Sequence, residues 1–116
     1  MEIKIFGIPN CGSVKKARTF FEEKGMSYHF HDYKKEGIDE AHLEKWCAAF
    51  GWEKVLNKKG LTWRNLDENT KQAVVDAPSA IKLMKSNTST IKRPVVESAK
   101  AHTIGFDEAM YETLFL

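Results

Sequence analysis

Apolar and polar positions alternate at the two ends of the chain and fall at three- and four-residue spacing through its middle. Ile3-Lys4-Ile5-Phe6 reads as a strand, and Gly7-Ile8-Pro9-Asn10 as the turn that ends it. Beyond Gly12-Ser13, Val14, Ala17 and Phe21 share one face of a helix that runs to about Glu23, with Gly25 as its stop. Ser27 to Asp32 then alternates as a second strand. Strand, helix and strand within about thirty residues make a βαβ unit, whose strands are expected to lie parallel through a right-handed crossover.

From about residue 36 to residue 88 the signal is helical. Leu43, Trp46, Cys47 and Phe50 form one apolar stripe, with Glu40 and Glu44 off it. A short segment from Trp52 to Leu56 precedes a break at Lys58-Lys59-Gly60. Asp67 is placed to cap a helix through about Asp76, and Pro78 opens another that carries Ile81 and Met84. The β pattern returns at Pro94-Val95-Val96-Glu97 and at His102-Thr103-Ile104, which a short turn joins as an antiparallel hairpin. Gly105 breaks the last strand, and Asp107 caps a final helix with Ala109, Met110 and Leu114. Neither β-bearing end hides its edges alone, so the two are expected to share one four-stranded mixed sheet with helices on its faces. The expectation is a single α/β domain over residues 1–116, with a core of about 1–35 and 90–116 and a helical insertion of about 36–89.

A chain of 116 residues, 42% hydrophobic and 29% charged, is large enough to fold around a core without staples. A net charge of +2 gives no ground for expecting nucleic acid. No apolar run approaches the ~18 residues of a membrane span, and no signal-peptide pattern precedes the first strand. Two cysteines in such a chain fit a reducing cytoplasm better than a structural disulfide. The expected location is therefore cytoplasmic.

Of those cysteines, Cys11 carries the chemistry. A thiol on a strand-to-helix turn sits where unpaired N–H groups converge, and the positive end of the helix dipole favours its charged, nucleophilic form. Lys15, Lys16 and Arg18 add positive charge within the first two turns. Cys47 lies in the Leu43/Trp46/Phe50 stripe and reads as core packing rather than as a resolving thiol. His29 and His31 share one strand face without a third ligand, so no metal is expected. His42 and His102 read as surface residues, and Trp46, Trp52 and Trp63 as core anchors of the insertion.

Several motifs then occur in a recognisable order. They are Phe6-Gly7-Ile8-Pro9-Asn10-Cys11, Lys15-Lys16-Ala17-Arg18, His31-Asp32-Tyr33, Leu56-Asn57, Gly60-Leu61-Thr62-Trp63-Arg64-Asn65-Leu66-Asp67, Ile91-Lys92-Arg93-Pro94-Val95 and Gly105-Phe106. Together they resemble the arsenate reductase (ArsC)/Spx family, in particular its YffB-type branch, over essentially the whole chain. The resemblance implies a thioredoxin-like fold, with Cys11 as nucleophile, Arg93 near the thiol and Pro94 as a cis proline facing it. Asn10, Gly12, Ser13, Asn57, Lys58, Lys59, Arg64 and Pro94 are the expected substrate-binding residues.

This sequence also departs from the family pattern. Arsenate reductases of the family surround the thiolate with three arginines, and only Arg93 matches directly here. The insertion arginine falls in Asn57-Lys58-Lys59, and the late one in Thr103 to Phe106, which has none. The histidine four positions before the family cysteine is Gly7, and Val14 stands where Spx-type regulators carry a second cysteine. The resulting expectation is a glutathione-dependent monothiol reductase. It binds no cofactor, takes glutathione as co-substrate, and acts on a small thiol or disulfide, with glutaredoxin a further partner that the resemblance allows. Arsenate reduction and a non-catalytic, Spx-like role at RNA polymerase are the alternatives.

Overall fold

The computed structural model describes residues 2–116. The chain divides into two compact units, one comprising the chain up to Glu36 together with Arg93–Leu116, the other Gly37–Lys92.

The first unit is built on a four-stranded sheet of order β2-β1-β3-β4, where β1 is Lys4–Gly7, β2 His29–Asp32, β3 Val95–Glu97 and β4 His102–Ile104. β1 pairs with β2 in parallel and with β3 antiparallel, and β3 with β4 antiparallel. This is the expected mixed sheet and hairpin. Helix α1 (Gly12–Glu23) follows β1, the single turn α2 (Tyr33–Glu36) follows β2, and α8 (Glu108–Phe115) follows β4.

An interlocked aromatic cluster forms the core of this unit. Ile3, Ile5 and Val96 of the sheet region meet Ala17, Phe20 and Phe21 of α1 and Tyr111 and Phe115 of α8. Tyr111 stacks edge-on against Phe20 at 5.4 Å and Phe115 at 5.3 Å, and its hydroxyl donates to the Gly105 carbonyl at 2.9 Å. Ring pairs of this kind contribute about 0.5–1.5 kcal/mol beyond their buried area. The buried face of α8 is thus Tyr111 and Phe115, with Met110 half-buried, whereas Ala109 and Leu114 of the expected stripe are exposed. The two aromatic rings cover more apolar area than alanine and leucine and so decide which face turns inward.

Helix α1 approaches β1 closely at one point. A Cβ built on Gly7 would lie 2.6 Å from Val14 Cγ2, and Val14 is fully buried. Glycine at position 7 is therefore the partner of valine at position 14.

The second unit is helical. It contains α3 (Glu40–Phe50), the one-turn helices α4 (Trp52–Val55) and α5 (Leu61–Arg64), α6 (Glu68–Gln72), α7 (Ala77–Ser86) and a 3₁₀ turn at Thr88–Thr90. Leu43, Trp46 and Cys47 of α3 are buried, as are Val55, Leu56, Ala80, Ile81, Met84 and Ile91. Asp67 caps α6 as expected, its carboxylate accepting from the Thr70 N–H at 2.7 Å. That helix ends at Gln72 and not near Asp76. Asp76 is fully extended and forms a capping box with Ser79 at the start of α7, so it cannot also continue the preceding helix. Among the described residues no helix is long and apolar enough to cross a membrane.

Gly7→Ala should destabilise the protein by about 1–3 kcal/mol through overpacking against Val14. In a thermal-unfolding double-mutant cycle, Gly7→Ala should cost clearly less in a Val14→Ala background. Additive effects would show that the contact carries no strain.

Candidate active site

The register decides which residues meet at the sheet's end. Phe6 pairs with Val95, so the C-terminal end of β1 and the N-terminal end of β3 lie side by side. The chain leaves β1 through Ile8-Pro9-Asn10 to Cys11, and it enters β3 through Arg93-Pro94, whose peptide bond is cis. Asn10, Cys11, Gly12, Ser13, Arg93 and Pro94 thus belong to one end of one sheet. The Gly105 N–H donates to the Pro94 carbonyl at 2.8 Å and holds that entry against the end of β4.

Cys11 is the N-cap residue of α1. Its backbone is extended, its carbonyl accepts from the Lys15 N–H at 3.0 Å, and its side chain makes no capping hydrogen bond. It is half-buried, while Asn10, Gly12 and Ser13 are exposed. The first turn of α1 contains no acidic residue, so the positive end of the helix is left for an anion to compensate. Lys15 and Lys16 are exposed on the next turn. Arg18, in the second turn, is engaged with Tyr28 and Phe30. Its Nε donates to the Tyr28 hydroxyl at 3.0 Å and its guanidinium lies 4.3 Å from the Phe30 ring centre. Tyr28, just before β2, offers it a hydrogen bond, and Phe30, on β2, a ring face.

Position 14, where a second thiol would resolve a disulfide, is buried against Gly7. Cys47 lies in the other unit and is 9% exposed. It borders a groove of about 380 Å³ with Glu40, Glu44, Ala77, Pro78 and Ile81, and burial pushes its thiol above the ordinary value.

Tyr33 belongs to the His31-Asp32-Tyr33 motif, which implies no role for it. It is buried in the first unit, and burial pushes its phenol well above the ordinary value. Arg93 pulls it back and Glu97 adds to the rise, which places the Arg93 guanidinium within electrostatic reach of this ring. A tyrosine after a strand carries no signal that it will face an arginine sixty positions away. His31 stacks on Phe6 at 5.0 Å and lies 3.9 Å from Glu36, and His29 is exposed. Among the described residues no three His, Cys, Asp or Glu side chains cluster as a metal site would require.

The remaining expected binding residues, Asn57, Lys58, Lys59 and Arg64, all lie in the second unit. The first three form a turn whose N–H groups at Asn57 and Gly60 donate to the Thr90 and Asn57 carbonyls. Lys58, Lys59 and Arg64 are exposed. Trp46 is a core anchor, 1% exposed, but Trp52 and Trp63 are only half-buried and flank Lys58.

A mixed four-stranded sheet, a cysteine at the N-cap position of the first helix and a cis proline at the entry of the third strand define a thioredoxin-like domain. The chain belongs to the ArsC family, whose model matches residues 6–114. The solved structure of the YffB protein is 45% identical, with 98% of this chain and 99% of that one covered and a TM-score of 0.93. An arsenate reductase (ArsC) related protein from Brucella melitensis is 44% identical, with 99% and 95% covered and a TM-score of 0.75. An uncharacterized protein of Haemophilus influenzae is 36% identical over 113 residues, 97% of this chain and 98% of its own.

At pH 7 iodoacetamide should add one group per folded chain, at Cys11. In Cys11→Ser, alkylation of Cys47 should set in only above the ~8.5 midpoint of a free cysteine, because its raised value keeps the thiol protonated at lower pH. Peptide mass mapping across pH checks both. Equal labelling of the two cysteines at pH 7 would assign Cys47 a place in the chemistry.

Proposed function

We propose that this protein is a glutathione-dependent monothiol reductase in which Cys11 is the nucleophile. The observation that carries this reading is the pairing of a half-exposed thiol on an uncompensated helix N-terminus with a buried valine three residues later. The first supplies a nucleophile, and the second removes the internal resolving thiol from its turn.

The chemistry follows from these two facts. The Cys11 thiolate attacks the glutathionyl sulfur of a mixed disulfide RS–SG. A Cys11–glutathione disulfide forms, and RS⁻ leaves with the bonding pair and takes a proton from solvent. A glutathione thiolate then attacks the sulfur of the bound glutathione, releasing oxidised glutathione and restoring Cys11 as thiolate. The net change is RSSG + GSH → RSH + GSSG, with one disulfide broken and one formed. Arg93, at the same end of the sheet, acts on charge near the sulfur. Asn10, Gly12, Ser13 and Pro94 shape the binding surface there. Asn57, Lys58, Lys59 and Arg64 are proposed, on the resemblance, to take the carboxylates of glutathione.

Arsenate is a poor fit to these residues. A tetrahedral dianion beside a thiolate needs several multidentate donors, and lysine does not replace a guanidinium in that role. Loss of one preorganised donor of this kind typically costs about 10²–10³ in rate.

Oxidised glutathione should convert the protein to a single mixed disulfide at Cys11, stable until a free thiol is added, and Cys11→Ser should abolish it. Intact mass spectrometry reads both. The same preparation should show negligible arsenate reduction with glutathione and glutaredoxin; robust turnover abolished by Cys11→Ser would establish arsenate as the substrate instead.

Arg93→Ala should slow glutathionylation by roughly ten- to a hundredfold, the range lost with one hydrogen bond to a charged group. Stopped-flow rates beside a melting curve check this. A large loss of stability with unchanged rates would make Arg93 a structural residue.

A further inference from the structure

Between α1 and the start of α8 runs a groove of about 390 Å³, rimmed by Lys15, Lys16 and Glu23 of α1 and by Glu108 of α8. Phe20 and Phe106 give it an apolar lining. Phe20 is 4% exposed, and the Phe106 ring stands edge-on to Tyr111 at 4.9 Å. Both sides of the groove start at the candidate site. The Lys15 N–H donates to the Cys11 carbonyl at 3.0 Å, and Gly105, the residue before Phe106, donates its N–H to the Pro94 carbonyl at 2.8 Å. Ile104 pairs with Val95, so the chain leaves β4 for Phe106 and Glu108 at the sheet end where it enters β3. All of these residues belong to the first unit.

The charges on the rim do not satisfy one another. Lys15, Lys16, Glu23 and Glu108 are exposed, and among the described residues none of their side chains takes part in an ion pair or a hydrogen bond. Opposite charges that line one groove without touching leave room for a ligand that carries both. A simple anion or cation would meet a like charge on one side, whereas an ammonium and a carboxylate on one carbon offer a partner to each. Reach selects among the charges. Lys15 and Lys16 follow Cys11 by four and five residues, about 6–8 Å along the helix axis, and Glu23 lies about 18 Å along it. An extended tripeptide spans about 10 Å. One held at Cys11 by a disulfide thus reaches the lysines and falls short of Glu23.

We infer that this groove receives the γ-glutamyl end of glutathione, with its α-carboxylate on Lys15 and Lys16, its ammonium on Glu108 and its methylene stem against Phe106. The inference rests on the glutathione reading above and needs no residue of the helical unit, to which it leaves only the glycyl carboxylate. The γ-glutamyl residue is the part of glutathione that carries both charges on one carbon, and the glycyl end carries a carboxylate alone. The groove therefore selects γ-glutamyl thiols as a class, with or without the glycine.

The test compares three symmetrical disulfides on the wild-type protein: oxidised glutathione, oxidised γ-glutamylcysteine and oxidised cysteinylglycine. In each case the Cys11 thiolate attacks one sulfur, a mixed disulfide forms and the other half leaves as thiolate. Quenched-flow with intact mass gives the rate of adduct formation. Each rate is divided by that of mercaptoethanol with the same disulfide, which removes the difference between leaving thiols. The two γ-glutamyl disulfides should react at similar rates, about tenfold faster than oxidised cysteinylglycine, the effect of two exposed ion pairs. Lys16→Gln and Glu108→Gln should each lower that preference about two- to fivefold, the range of one such pair. Melting curves accompany the variants, and the comparison among disulfides needs no variant. The inference is overturned, while the glutathione reading stands, if oxidised cysteinylglycine reacts as fast as oxidised glutathione. The same holds if oxidised γ-glutamylcysteine reacts as slowly as oxidised cysteinylglycine, or if neither substitution changes the preference. If no adduct forms with oxidised glutathione, both fail.

Discussion

The contact between Val14 and the backbone of Gly7 is the constraint on which the site depends. It brings the first turn of α1 so close to the end of β1 that no side chain fits at position 7. The four residues between β1 and the helix must then turn sharply, and Cys11 falls at the N-cap with its carbonyl already accepting the first helical hydrogen bond. The buried side of the turn belongs to valine and its exposed side to the thiol. β1 transmits this placement to the rest of the unit, since it lies between β2 and β3 and its register with β3 sets Arg93-Pro94 at the same end of the sheet.

The same contact links two departures from the family pattern that look independent in sequence. A histidine at position 7 would need the space that the Val14 methyl groups occupy. Valine at position 14 in turn removes the second thiol of a Cys-x-x-Cys pair. One packing solution thus accompanies the loss of both a neighbouring base and an internal resolving group. What remains in this turn is a single thiol, Cys11.

The helical unit shows a comparable economy. Asp67 and Asp76 each cap a helix, and the capping box at Asp76 closes α6 after a single turn and a half. The isolated bridge between Leu56 and Ile91, with the Lys92 N–H on the Val55 carbonyl at 2.7 Å, ties the end of α4 to the last residues of this unit. The turn bearing Lys58 hangs from that tie through Asn57. There the Lys58 ammonium lies close to two indoles, those of Trp52 and Trp63.

Periodicity by itself determined the four strands, the long helices and the caps at Asp67 and Asp107, because each depends on residues within one or two turns of one another. It also singled out Cys11, whose place between a strand and a helix is local, and the order of motifs supplied Arg93 and Pro94. Choices among competing apolar faces were decided only by the tertiary structure. Tyr111 and Phe115 displaced Ala109 and Leu114 from the inner face of α8 because α1 offers them Phe20 and Phe21. Arg18 turned to Tyr28 and Phe30, Tyr33 came within reach of Arg93, and Trp52 and Trp63 closed on Lys58, all through partners distant in sequence or on another element. A side chain's charge is written in the sequence, but whether it is held, and by which partner, depends on elements that only the folded chain brings together.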